Sequence, residues 1–340
     1  MTILAIESSC DESSAAVLKD GALLSVATRT QTIHRAYGGV VPELAGRSHL
    51  ELVDAMAHEA LSSAEVSLKS VDLFAATLGP GLVGSLLVGA AYARGLALAL
   101  GKRFRAVHHL EAHLWSAELE ARELPLPFLI LLVSGGHTQL VLVEGLRRYR
   151  VIGMTLDDAL GEAYDKVGKL VGLTFPAGAD VDRLASEGDP TKFQFTVPLR
   201  DDSCDFSFSG LKTAFLYKLR GLSDEQTRAE RENLLAAFQE AALGSVMTKV
   251  RRAALAERPR ALAAAGGVAA NSRLRAKLSD LARELGIACV LPEPQFCGDN
   301  AAMIGYTAFK LEHAQVMDSF EDGARPRWPL EALCVASNAV

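Results

Sequence analysis

His109 and His113 stand four residues apart in His108-His109-Leu110-Glu111-Ala112-His113, a run that otherwise reads as helix. At 3.6 residues per turn that spacing leaves the two rings about 40° apart on one face, so both can grip one metal ion. Two histidines with one carboxylate form a facial triad with open positions, suited to ferrous iron or a catalytic zinc. Spacing does not single out the carboxylate. Glu7, Asp11 and Glu12 lie just past the first expected strand, and Asp299 precedes a helix that it could equally cap. A metallopeptidase places a glutamate directly after the first histidine, beside the zinc-bound water. Here Glu111 is the second residue after His109, about 200° round the helix, and the peptidase loses its base. A scaffold that binds a ligand there without doing chemistry is the rival from another class.

Four glycine-bearing turns follow expected strands: Gly79-Pro80-Gly81, Ser134-Gly135-Gly136-His137, Pro176-Ala177-Gly178, and Gly266-Gly267 ahead of Asn271. A turn without side chains lets phosphate approach backbone N–H groups, and open α/β sheets bind ligands at such strand ends. Several in one chain point to nucleotide binding rather than simple chain reversal.

Regular elements must hold these groups. The apolar runs 3–6 and 128–133 each enter a Ser-rich or Gly-rich turn, as buried strands do. A second strand and a glycine turn follow each, at Asp20-Gly21 and at Glu144-Gly145. The copies are offset by 126 residues from 3 to 129 and by 124 from 20 to 144, so one strand-hairpin-strand-helix unit is used twice. After the first hairpin we expect a helix over 46–62, a strand over 73–77, a buried core helix from the run 81–100, and a strand over 104–107. In the second copy Leu156, Leu160, Ala163, Tyr164, Val167, Leu170 and Val171 mark one apolar helix face, with Asp158, Glu162, Asp165 and Lys169 on the other. Helices over 228–257 and 272–285 flank a strand at 261–265, and another helix begins near Asn300. This alternation predicts an α/β fold with layered sheets. We expect an N-terminal domain over 1–125 and a C-terminal domain over 126–340, whose final helical segment after about 299 packs back on the first.

The 340 residues, 49% hydrophobic and 22% charged, can bury an ample core. A formal net charge of −6 argues against a chain that grips nucleic acid by itself, because nonspecific affinity comes from neutralising phosphates. Binding to RNA alone should therefore be weak and salt-dependent. Three basic clusters (Arg147, Arg148, Arg150; Lys249, Arg251, Arg252; Arg273, Arg275, Lys277) read as solvated faces before binding sites. Five cysteines without a two-residue spacing suggest neither a disulfide framework nor a zinc ribbon, and fit a reducing cytoplasm. No basic segment precedes an apolar run at the start, so no signal peptide is expected. Arg94 interrupts the apolar run 81–100, so no membrane span is expected.

Seven motifs then stand in order: Ile6-Glu7-Ser8-Ser9-Cys10-Asp11-Glu12, Gly38-Gly39-Val40-Val41-Pro42-Glu43, Gly79-Pro80-Gly81-Leu82-Val83-Gly84, His109-Leu110-Glu111-Ala112-His113, Val133-Ser134-Gly135-Gly136-His137-Thr138, Asp205-Phe206-Ser207-Phe208-Ser209-Gly210-Leu211-Lys212, and Ala265-Gly266-Gly267-Val268 through Asn271. Together, over nearly the whole chain, they resemble the TsaD family, also called Gcp, the tRNA N6-adenosine threonylcarbamoyltransferases. The resemblance implies a two-domain fold of the actin, sugar-kinase and Hsp70 type, duplicated ribonuclease-H-like units around a nucleotide cleft. It implies transfer of the threonylcarbamoyl group of threonylcarbamoyl-AMP to the exocyclic amine of the adenosine 3′ of the anticodon, in tRNAs reading codons that begin with A. By residue matching it implies one divalent metal ion, ferrous iron with zinc as the alternative, on His109, His113 and Asp299. It likewise implies that Leu132, Val133, Ser134, Gly135 and Gly136, with Asp165, Gly178, Asp182 and Asn271, hold the adenylate. The implied partners are tRNA, TsaB and TsaE, with TsaC making the adenylate. The pattern departs at Pro176-Ala177-Gly178-Ala179, where the family usually has two adjacent glycines; the Ala177 methyl bears on how closely a ligand can approach there.

Overall fold

A computed structural model describes residues 1–120, 123–196, 201–316 and 323–334. Over these residues the chain forms two compact units, Met1–Glu123 with Asp299–Val340, and Leu124–Gly298. The first opens with β1 (Thr2–Glu7), β2 (Glu12–Lys19) and β3 (Ala22–Thr30). The two-residue loop between β2 and β3 takes positive φ at both Asp20 (50°) and Gly21 (83°), the turn whose twist matches paired strands. Next come α1 (Pro42–Ser63), β4 (Leu73–Gly79), α2 (Val83–Ala99), β5 (Arg103–His108) and α3 (His109–Trp115). The sheet order is β3-β2-β1-β4-β5, with β1, β4 and β5 parallel. α1 begins on Pro42, where a missing N–H costs nothing, and turns Val53, Met56, Ala57, Ala60 and Leu61 onto the sheet.

The second unit repeats the plan. Its strands β6 (Phe128–Val133), β7 (Thr138–Gly145) and β8 (Arg148–Met154) are followed by α4 (Leu160–Leu170), α5 (Gly178–Ala185), α6 (Ser209–Arg220), α7 (Asp224–Ala229) and α8 (Arg231–Glu257). Then β9 (Ala261–Ala265), α9 (Ser272–Leu285), β10 (Ala288–Val290) and the short α10 (Pro294–Cys297) complete it. The order β8-β7-β6-β9-β10 has the same senses as the first sheet, which is the duplication expected from the strand offsets. Beneath it Tyr164, Phe206, Phe208, Phe215 and Phe238 form an aromatic core. The chain returns to the first unit with α11 (Ala301–His313).

Four local expectations change. The run 81–100 gives a helix with one wet face: Leu86, Ala90, Ala93 and Ala97 are buried, but Val83, Leu87 and Leu98 are 52%, 51% and 85% exposed. Gly89 lets that helix close on Ser8, where a Cβ would meet the Ser8 hydroxyl. Glu144-Gly145 is not the second turn. Gly145 still pairs with Arg148, and the reversal falls on Leu146 and Arg147, the latter at φ 61°. The helix expected from Leu156 starts at Leu160, because the residues before it form a turn in which Thr155 donates to the Asp158 carbonyl; Leu156 is 62% exposed. The Gly79-Pro80-Gly81 turn has no room for phosphate. A Cβ on Gly79 would meet the Arg325 backbone and one on Gly81 the Ser9 backbone, because the segment carrying Arg325 and Pro326 bonds to Leu78 and Gly81. Among the described residues no helix is long and apolar enough to cross a membrane.

Candidate active site

β5 delivers His108 as the cap of α3: its Nδ1 accepts the Glu111 N–H, while Nε2 faces the Trp328 carbonyl at 3.0 Å. All seven residues of α3 are buried, so its two later histidines are held by packing as well as by backbone. His113 Nε2 lies 3.0 Å from Asp299 Oδ1, and His109 Nε2 lies 3.6 Å from the same oxygen. The donor atoms of His109, His113 and Asp299 all fall within 4.8 Å of one another. Asn300, not Asp299, caps α11 by accepting the Met303 N–H. The capping alternative for Asp299 is thereby removed. Glu111 is buried but is not among the converging groups.

Behind His109 stands Glu7 at the end of β1, its Oε2 3.1 Å from His109 Nδ1. Glu7 also accepts from Thr77 Oγ1 on β4 at 2.6 Å and from the Ser9 N–H. A carboxylate on the far nitrogen fixes the tautomer and raises the basicity of a ligating imidazole. Burial acts to lower the His109 pKa, but the Asp299 and Glu7 carboxylates outweigh it and push it up to about 9. Burial likewise acts to raise Glu7, yet His109 holds it below the usual carboxylate range. Glu12 is held well above that range by burial, Asp299 and Asp11, and the Cys10 thiol is raised by burial, Asp11 and Asp299. The site is thus short of positive charge and rich in nitrogen and oxygen donors, which fits a divalent cation. We expect Glu7→Gln to weaken metal binding by about 10- to 100-fold, the usual cost of losing such a partner, in a chelator competition.

The second unit gathers the other candidate residues. Leu132 and Val133 end β6 and are buried, while Ser134, Gly135 and Gly136 form the turn, with Ser134 Oγ accepting the His137 and Gly136 N–H groups. Nothing lies within 4 Å of a Cβ position on Gly135, Gly136, Gly178 or Gly267, so these faces are open. The first turn of α4 presses on this loop: a Cβ on Gly161 would lie 2.6 Å from the Ser134 carbonyl oxygen. Asp165 accepts the Ala177 N–H at 2.7 Å and so fixes the turn that leads to Gly178. Ala177 has ordinary right-handed backbone angles and is buried, its methyl against Gly168, so the missing glycine does not obstruct the open side. Asp182 accepts from the Ser272 N–H and hydroxyl, and Asn271 caps α9 through the Leu274 N–H while donating to Gln239. Both therefore hold the start of α9.

The run 205–212 acquires a physical role. Asp157 accepts the Phe208 and Ser209 N–H groups at 2.8 and 3.3 Å and the Ser207 hydroxyl, closing the N-terminus of α6. Asp158 binds Lys212 of α6 and Lys166 of α4 at 2.8 and 2.9 Å, which clamps α6 to the helix beside the glycine loop. Burial acts to raise the Asp158 pKa, but Lys212 and Lys166 together outweigh it and the net shift is downward. Most of the basic clusters seen in sequence are neutralised: Arg251 by Glu284, Arg273 and Lys277 by Glu240, Lys249 by Asp201, Arg150 by Glu257. Sequence reasoning missed Thr77 altogether and assigned Asp157 no role; the acid pair Asp157-Asp158 ahead of a helix was the available signal for the clamp.

The family described as TsaD, tRNA N6-adenosine threonylcarbamoyltransferase, matches residues 22–306. Proteins of that description from Geotalea uraniireducens and Kosmotoga olearia are each 46% identical, over 336 and 328 residues. The first match covers 98% of both chains, the second 96% of this chain and 98% of the relative. Two solved structures are similar in fold. The activator of the 2-hydroxyisocaproyl-CoA dehydratase from Clostridium difficile has a TM-score of 0.52 at 17% identity, over 94% of this chain and 99% of its own. The HypF of T. kodakarensis has a TM-score of 0.60 at 13% identity, over 92% of this chain and 48% of its own. With the duplicated sheet order, they place the fold in the actin, sugar-kinase and Hsp70 class.

Proposed function

The chain belongs to the TsaD family, tRNA N6-adenosine threonylcarbamoyltransferases, and from that premise we propose that it moves the threonylcarbamoyl group of threonylcarbamoyl-AMP onto the adenosine 3′ of the anticodon, in tRNAs reading codons that begin with A. As a member it is a transferase that acts on tRNA. The observation that carries the finer reading is the convergence of His109, His113 and Asp299 with Glu7 behind them. These three residues would hold one divalent ion, ferrous iron with zinc as the alternative. When bound, the ion supplies Lewis acidity toward the oxygens of the acyl group.

The rest of the work falls to the protein. Gly135, Gly136 and Gly178 leave backbone open to phosphate and ribose, and Asp165 fixes the turn that leads to Gly178. Asp182 and Asn271 keep the start of α9 in place beside them. Fixing the mixed anhydride supplies proximity. The adenine N6 forms a bond to the carbamoyl carbon, the carbon–oxygen bond to the phosphate breaks with its electron pair leaving on AMP, and N6 sheds one proton. No side chain need become a covalent nucleophile.

The exposed stripe Val83, Leu87 and Leu98 on α2 supports a protein partner, which we take to be TsaB, with TsaE joining that assembly. The cytoplasm is where tRNA would be met. Leu87→Glu with Leu98→Glu should abolish co-elution with TsaB and leave circular dichroism unchanged; a persisting complex would remove that face from the interface. The reaction itself is tested by digesting tRNA after incubation with threonylcarbamoyl-AMP. The expected product is N6-threonylcarbamoyladenosine beside the anticodon, and label on any other nucleoside overturns the assignment.

A further inference from the structure

We infer that the C-terminal end of α6 is a surface for the tRNA backbone, with Lys218 and Arg220 meeting phosphates and Tyr217 a neighbouring base or ribose. The inference rests on the reading that this chain acts on tRNA. Its basis is a contrast in how cations are partnered. Arg251, Arg273, Lys277, Lys249 and Arg150 are all spent on carboxylates, as an acidic chain would require. Lys218 and Arg220 are instead held by aromatic rings. Lys218 Nζ lies 5.1 Å from the Phe193 ring centre and the Arg220 guanidinium carbon 5.6 Å from that of Tyr217. Neither makes an ion pair among the described residues, and Asp224 and Glu225, which open the next helix, do not reach them. Tyr217 is 65% exposed. A ring that orients a cation without neutralising it leaves that charge available to a polyanion, and an exposed aromatic beside it offers a stacking face.

The placement of α6 gives the surface a purpose. Asp157 and Asp158 fix the helix start against α4, whose first turn presses on the Ser134 to Gly136 loop. From Lys212 to Arg220 is eight residues, about 12 Å along the helix axis. The cations therefore stand at a set distance from the adenylate loop, suited to positioning a large substrate while the chemistry occurs elsewhere. Contacts of this kind set register and affinity and carry no sequence information.

The test is filter binding of an unmodified tRNA transcript to the full-length chain over a salt series. Lys218→Ala with Arg220→Ala should weaken binding at least about tenfold at low salt. It should also flatten the slope of log affinity against log salt by about 1.4 to 1.8, the release expected from two phosphates. Tyr217→Ala should weaken binding with the slope unchanged, and Arg251→Ala, whose charge Glu284 already takes, should alter neither. Unchanged affinity and slope in the double variant overturn the surface. At limiting tRNA that variant should transfer more slowly than wild type. A wild-type chain that binds tRNA but transfers nothing would sink the proposed reaction and leave the surface standing, whereas normal transfer with wild-type binding by the double variant would sink the surface alone.

Discussion

His113→Ala should leave the chain folded and metal-free, with transfer lowered more than about 100-fold, since losing a ligand must exceed the 10- to 100-fold cost of losing a ligand's hydrogen-bond partner. His113 supplies one of the three converging donors, and an open site with three protein ligands cannot spare one. Its removal uncovers Asp299, whose side chain is 18% exposed and can be solvated, so the stability cost is small. His109→Ala should lose the ion equally but also destabilise the protein. It leaves the fully buried Glu7 without its cation, and an uncompensated buried charge costs about 3–5 kcal/mol, here partly relieved by the Thr77 and Ser9 donors. Elemental analysis beside thermal unfolding separates the two effects. Full occupancy in His113→Ala would remove the metal centre as drawn.

Gly161→Ala should damage the glycine loop of the second unit without touching the metal. Its Cβ would lie 2.6 Å from the Ser134 carbonyl oxygen and 2.9 Å from the Gly135 nitrogen. Those neighbours are backbone and cannot rotate away, so the loop must shift, at the roughly 1–3 kcal/mol typical of overpacking. A displacement worth about 1.4 kcal/mol is tenfold in affinity, so KM for threonylcarbamoyl-AMP should rise about tenfold or more while the ion remains at one per chain. Asp165→Ala should act in the same direction by releasing the Ala177 N–H. Gly244→Ala, with nothing within 4 Å of its Cβ position, is the matched control and should behave as wild type. Wild-type KM in Gly161→Ala would show that this loop does not contact the adenylate.

What the sequence made legible follows from the range of the forces involved. The strands at 3–6 and 128–133 are continuous apolar runs, and a strand buried on both faces must be one. His109 and His113 were readable because their relation is local, one turn of one helix. Asp299 was left open because a carboxylate ahead of a helix serves a cap as well as a metal, and only the Asn300 bond to Met303 decides it. Glu7 acts on His109 across 102 residues of chain, a contact set by how β1 and β5 flank β4, which no spacing encodes. The Gly79 turn was misjudged for a similar reason: the backbone that fills it arrives from Arg325. In α2 the buried face (Leu86, Gly89, Ala90, Ala93, Ala97) and the exposed one (Val83, Leu87, Leu98) are both apolar, so its exposed face was invisible in the pattern.

The most direct measurement titrates metal-free chain with ferrous iron, without oxygen, and follows labelled threonine from threonylcarbamoyl-AMP into tRNA. The account predicts no transfer without metal, a rise that reaches its plateau at one ion per chain, and no rise at all for His113→Ala. Full transfer by the metal-free chain, or a wild-type plateau in His113→Ala, would contradict it.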